Sequence, residues 1–266
     1  MKKRIIATCM AVIMTLSLAA CGSAAGEAGT AGTGDVDYIK GKGTLVVGIT
    51  DFAPMDYQEN GEWIGFDADM ARAVADALGV EAQFVEIDWD NKILELNNKS
   101  IDCVWNGMTL TDEVKKAMTC TKAYCNNAQV VVLPASTAGD YKDTESLKQL
   151  SFAVEAGSAG EEAAKENGFN YTSVTAQSDT LMEVQAGTSQ ASIIDLLMAG
   201  AMIGPGTSYP DLTHTLELTT EEYGVGCRQG SDLAEFINTQ FKTLYDNGTM
   251  KTIAEKYGVQ DSLVAQ

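Results

Sequence analysis

Basic residues are scarce in this chain of 266 residues: 18 Lys and Arg stand against 37 Asp and Glu, for a formal charge of −19 at pH 7. No stretch gathers the bases into a stripe, and binding a phosphate backbone depends on concentrated positive charge, so a nucleic-acid partner is not expected. Histidine is scarcer still. His214 stands alone, and no two cysteines are placed as a C-x-x-C pair, so neither a metal nor a cofactor is expected. No internal repeat at a solenoid period is visible. What the chain does have is 45% hydrophobic residues, enough to bury one large core or two smaller ones, since a domain takes ~100–200 residues.

The first twenty residues stand apart from the rest. Lys2, Lys3 and Arg4 precede a mostly apolar run over 5–18 that is short for a permanent membrane span, and small residues follow. This is the pattern of a secretory signal. The junction Leu18-Ala19-Ala20-Cys21 resembles the bacterial lipobox, which implies acylation of Cys21 as the mature N-terminus. Removing 1–20 takes away three bases and no acids, so the mature protein is more acidic still. A Gly, Ala, Ser and Thr tract follows up to about Gly34 and has the composition of a flexible tether, assigned to 21–40. A soluble domain, held at the outer face of a membrane by lipid, is the expectation.

Export leaves four thiols in the domain, at Cys103, Cys120, Cys125 and Cys227. Free buried cysteines and a single bridge both remain open, since a domain of this size does not need a disulfide for its core.

Along the chain, strand and helix signals alternate. Strands are expected at 44–49, 80–85, 101–105, 129–133, 151–154, 171–175 and 191–194, as short apolar runs suited to a buried parallel sheet. Between them, helical spacing marks 66–78, closed by Gly79, then 91–97, 159–167, 178–186 and 196–202. The segment 233–257 divides into two amphipathic helices at Asp246-Asn247-Gly248, a turn of residues tolerant of positive φ. This βαβα order predicts two α/β units with mostly parallel sheets.

The runs Gly43-Thr44-Leu45-Val46-Val47-Gly48, Ala53-Pro54-Met55, Gly65-Phe66-Asp67, Asn106-Gly107-Met108-Thr109-Leu110-Thr111, Ala156-Gly157-Ser158 and Tyr245-Asp246-Asn247-Gly248-Thr249 occur in one order over about 41–260, with Glu255-Lys256-Tyr257-Gly258 closing the series. Together they resemble the solute-binding proteins of polar amino-acid ABC importers. That resemblance implies a two-lobed, periplasmic-binding-protein-like α/β clamp, each lobe a mostly parallel sheet flanked by helices. Lobe 1 is expected at 41–126 and 223–266 and lobe 2 at 128–221, joined by two crossing strands near 126–128 and 222. It also implies a monomer that takes a small-molecule ligand, an amino acid or amine, and serves an ABC permease and ATPase.

The same resemblance supplies the site residues. Asp195, at the carboxyl end of its strand, would receive an α-ammonium, with N-capping of the next helix as its alternative. Asn106, Gly107 and Thr109 would meet a carboxylate, the Thr109 hydroxyl and N–H donating, unless they form a plain turn. Ser158 and Ala159 open a helix whose free N–H groups suit an anion, with ordinary capping by Ser158 as the alternative. Phe52 and Trp89 would cover the ligand or belong to the core. Asp51 and Glu155 map beside the cleft. The family's Arg for the ligand carboxylate is missing: Val114 stands in its place, with Lys115 and Lys116 pointing elsewhere on the helix. Acids beside aromatic faces favour a cation, so a neutral or cationic amino acid, or an amine without a carboxylate, is expected, and a fixed countercharge for an anion is not.

Function then divides three ways. The transporter subunit leads. An enzyme on the same scaffold, dehydratase-like, would need an acid or base in the cleft, for which Glu155 and Asp51 are the candidates. A ligand sensor would continue into a membrane helix and a signalling domain.

Overall fold

The computed structural model describes residues 34–266. The expected leader, Cys21 and most of the tether lie outside them. Helix α1 (Asp35–Lys42) is followed by β1 (Thr44–Ile49), the hairpin β2 (Tyr57–Glu59) and β3 (Glu62–Ile64), α2 (Phe66–Leu78), β4 (Glu81–Glu86), α3 (Lys92–Asn97), β5 (Cys103–Val104), α4 (Asp112–Ala117) and β6 (Thr119–Cys120). Then come β7 (Cys125–Asn127), β8 (Gln129–Pro134), α5 (Thr144–Leu147), β9 (Ser151–Glu155), α6 (Ala159–Asn167), β10 (Asn170–Val174), α7 (Gln177–Ala186), β11 (Ala191–Asp195), α8 (Leu196–Met202) and β12 (Leu212–Glu217). The chain returns through β13 (Glu221–Tyr223) and β14 (Gly226–Cys227) to α9 (Leu233–Asp246) and α10 (Thr249–Tyr257).

Two five-stranded sheets result, ordered β4-β1-β5-β14-β6 and β10-β9-β11-β8-β12. In each, three neighbours pair in parallel and the fourth strand runs against both of its partners. Four strands of each sheet therefore point one way. The odd strand has the same origin in both lobes: β8 and β14 are the first sheet strands after the chain crosses over. The crossings themselves, β7 and β13, pair antiparallel with Cys125 opposite Tyr223 and Asn127 opposite Glu221.

Strand β1 is buried from Leu45 to Ile49 because it lies between β4 and β5 with helices on both faces, which is why its sequence runs apolar instead of alternating. Helix α2 presents Phe66, Met70, Val74 and Leu78 to that core. All four thiols are free, and Cys103, Cys125 and Cys227 are buried.

The tether ends earlier than residue 40. Helix α1 occupies residues 35–42, with Asp35 and Asp37 in its first turn and Lys40 and Lys42 in its last, each sign where the helix dipole favours it. Ile39 is fully buried, and Arg228 bonds Asp35 (3.0 Å) and Asp102 (3.2 Å) while Lys42 reaches the other Asp102 oxygen. These contacts tie the segment to the first lobe. No helix among the described residues is long and apolar enough to cross a membrane.

Candidate ligand-binding cleft

The carboxyl ends of β1, β5, β9 and β11 converge on one cavity of about 380 Å³. Parallel strands aim their loops, and the N-termini of the helices that follow, at the same space. Phe52, Trp89, Asn106, Gly107, Thr109, Glu155, Ser158, Ala159 and Asp195 all line it. Asp51 does not. It is exposed: in the loop that follows β1, Thr50 and Phe52 turn inward and Asp51 between them turns outward.

Asp195 is 4% exposed and held by three donors: the Asn127 amide (2.5 Å) and Tyr223 hydroxyl (2.6 Å) on Oδ1, and the Gln177 amide (2.6 Å) on Oδ2. Its side chain caps nothing on α8. A carboxylate has about four acceptor positions, so room remains on Oδ2. Burial, then the nearby Glu221 charge, raises its pKa against the pull of Tyr223 and Gln177. Glu155, 3% exposed, accepts from the Gln177 backbone N–H (3.2 Å), and burial together with the Asp195 charge pushes it up to about 8.

The β5–α4 loop departs from expectation in how its polar groups are used. The Asn106 amide donates to the Thr50 carbonyl and to Asp56, and its oxygen accepts from the Thr50 hydroxyl at 2.6 Å. The Gly107 N–H donates to Asp67 (2.6 Å), which also takes the Tyr124 hydroxyl. The Thr109 hydroxyl donates to Glu221 on β13 (2.8 Å) and not toward a ligand. Asn106 and Gly107 thus shape the wall with their donors already engaged. Gly107 is required there: its φ is +52°, and a Cβ would stand 2.5 Å from the Phe52 ring. Asp56 and Asp67 beneath the loop are fully buried, each with one oxygen unpartnered, and burial raises both pKa values.

Phe52 and Trp89 meet both of their readings, since each is buried in an apolar cluster and each lines the cavity. So does Ser158, whose hydroxyl accepts from the Glu161 N–H (3.1 Å) as the cap of α6. The α6 N–H groups at Ala159 and Gly160 precede the first intrahelical bond.

Val114 is buried in the cavity wall, where the resemblance called for Arg. The expectation that the cleft has no fixed positive charge is overturned by Lys92, which was missed. It is 7% exposed, lines the cavity, and donates to the Trp89 and Gly157 carbonyls. One signal was available: Lys92 stands one turn before buried Leu96, on the same helix face. Among the described residues, no group of three or more His, Cys, Asp or Glu is arranged to hold a metal ion.

Comparison with known proteins agrees with this geometry. The family model for bacterial extracellular solute-binding proteins, family 3, matches residues 45–260. The chain belongs to that family. This solute-binding protein is 30% identical to the arginine-binding extracellular protein ArtP of Bacillus subtilis, over 93% of its own length and 95% of the relative's. Among solved structures it is similar to a mutant of the arginine-binding protein of T. maritima (33% identity, TM-score 0.78, covering 84% of this chain and 98% of that one). It is also similar to the ancestral amino acid-binding protein AncCDT-1, a precursor of cyclohexadienyl dehydratase (30% identity, TM-score 0.76, covering 84% and 99%). In this chain the two buried carboxyls that line the cavity come from the second lobe, while both aromatic rings come from the first.

Proposed function

We propose that this protein captures a small polar amino acid or amine, neutral or cationic, between its lobes and delivers it to an ABC permease and its ATPase, as a monomer tethered outside the cell membrane through acylated Cys21. The observation that carries the ligand class is the pairing of buried Glu155 and Asp195 in one cavity wall with Phe52 and Trp89 across from them. Taking an ammonium group there restores to both carboxyls the favourable charge that burial denies them. The names of the relatives support an amino acid. In a thermal-shift screen of residues 34–266 against arginine, lysine, histidine, glutamine, glutamate and cadaverine, at least one amino acid raises the melting temperature, since a ligand of the folded state stabilises it. Glutamate, with its second carboxylate brought toward Glu113, Glu155 and Glu161, competes poorly; tight preference for it overturns the charge assignment. Replacing Cys21 by Ala releases the protein from the membrane fraction, and its retention there refutes the lipid anchor.

One observation favours a second reading. A buried Glu155 that keeps its proton near neutral pH is a suitable general acid for a dehydratase-like enzyme. Recovery of the ligand unchanged after prolonged incubation with the protein excludes it, and conversion of the ligand establishes it.

A further inference from the structure

We propose that Lys92 is the cation that receives the ligand's carboxylate, so that the cleft is built for a zwitterion held between Lys92 and the Glu155–Asp195 side. The inference deepens the reading of the cleft as an amino-acid site and rests on it. Lys92 opens α3 on the first lobe, and its ammonium donates to the Trp89 carbonyl at 3.2 Å and, across the cleft, to the Gly157 carbonyl at 2.8 Å. An ammonium has three donors. Two are used, and among the described residues no carboxylate lies within the 4.0 Å of an ion pair. Burying a cation without a counter-ion is costly, and carbonyl dipoles offset only part of that cost.

The other lysine in the cavity wall is already committed, for Lys165 pairs with Glu161 at 2.9 Å. Burial lowers the Lys92 pKa, and the nearby Glu155, Glu113, Asp90 and Glu161 charges work against that shift to keep the ammonium charged. Both groups line the same cavity, yet they do not touch. A buried cation and a buried acid that line one cavity without pairing present the two charges of an α-amino acid with their complements. The third Lys92 donor and the first N–H groups of α6, next to Gly157, flank one position for the carboxylate. Because Lys92 also bridges the lobes through Gly157, the anchor is completed only when the cleft is closed.

The test separates an anchor from a simple latch by changing the ligand as well as the protein. Arginine, lysine, histidine and glutamine are each titrated calorimetrically beside their carboxamides, which keep the ammonium and lose the anionic charge. The wild-type protein binds its preferred amino acid about ten- to one-hundred-fold tighter than the amide, the range of a charge-assisted hydrogen bond. In Lys92→Met that preference collapses to within about threefold, while the amide binds nearly as before, and Lys92→Arg restores part of it. A lobe latch alone would weaken acid and amide equally, and that result overturns the proposal. So does a wild-type protein that binds amide and amino acid alike, a comparison that needs no variant to fold. If the wild type binds none of the four amino acids, the amino-acid reading itself falls and takes this one with it.

Discussion

Tyr223, on the second crossing strand, donates its hydroxyl to Asp195 at the end of β11 across 2.6 Å. The bond joins a crossing strand to the wall of the cleft, so the carboxyl proposed to receive the ligand's ammonium is oriented by a segment that passes between the two sheets. Replacing Asp195 by Asn removes the charge and turns an amide N–H₂ toward donors. Affinity should fall by roughly one to two decades, the equivalent of ~1.5–3 kcal/mol. Tyr223→Phe keeps the charge and should cost about 1 kcal/mol of stability with a smaller loss of affinity. Calorimetry and urea unfolding measure the two effects; unaltered binding by a folded Asp195→Asn protein would assign Asp195 a purely structural role.

Gly107→Ala should be damaging out of proportion to one methyl group. The φ of +52° disfavours any side chain, and the added carbon would press on Phe52, which itself lines the cavity. A stability loss of about 1–3 kcal/mol is expected, together with weaker binding, because the aromatic wall must move. Retained affinity and melting temperature in this variant would show that the loop has slack the structure does not suggest.

The buried acids set an unusual pH dependence. Glu155 titrates at about 8 in the folded protein, above its ordinary range near 4.5, so the native state holds a proton that the unfolded chain releases. Its contribution to stability is therefore fully present below about pH 4.5 and is lost as pH rises through about 8, on the order of 5 kcal/mol in all. Asp195, Asp56 and Asp67 are shifted in the same direction and add to the slope. Ligand-free protein should melt at lower temperature at pH 8 than at pH 6, and Glu155→Gln should flatten the trend. A melting temperature that rises over this interval would contradict the assignment.

Much of the fold was legible because local signals and tertiary packing agree: β1 and α2 fall on the residues that their apolar runs mark, and α9 and α10 part at Asn247-Gly248. Helix α1 was not legible, since its two inward residues, Val36 and Ile39, are too few for a periodic signal and its anchors, Arg228 and Asp232, lie far along the chain. The cleft was readable where loops follow strands. Asp51 and Lys92 show where that ends: side-chain direction in the loop after a strand and the burial of a helical lysine are decided by neighbours distant in sequence. The burial of Asp67 under Gly107 is of the same kind, although its motif was plain.

Closure about β7 and β13 follows if ligand contacts both lobes, as the cavity lining and the Lys92–Gly157 bond suggest. Small-angle scattering should record a smaller radius of gyration on saturation with an amino acid that raises the melting temperature. An unchanged profile would mean that the ligand enters a cleft already shut.

The most direct measurement is a crystal structure grown with an amino acid chosen by the thermal-shift screen. The account predicts one molecule in the cavity, its ammonium against Glu155 or Asp195 and its carboxylate against Lys92 and the start of α6, between Phe52 and Trp89. A ligand bound outside this cavity, or lying in it with carboxylate and ammonium exchanged, would contradict the account.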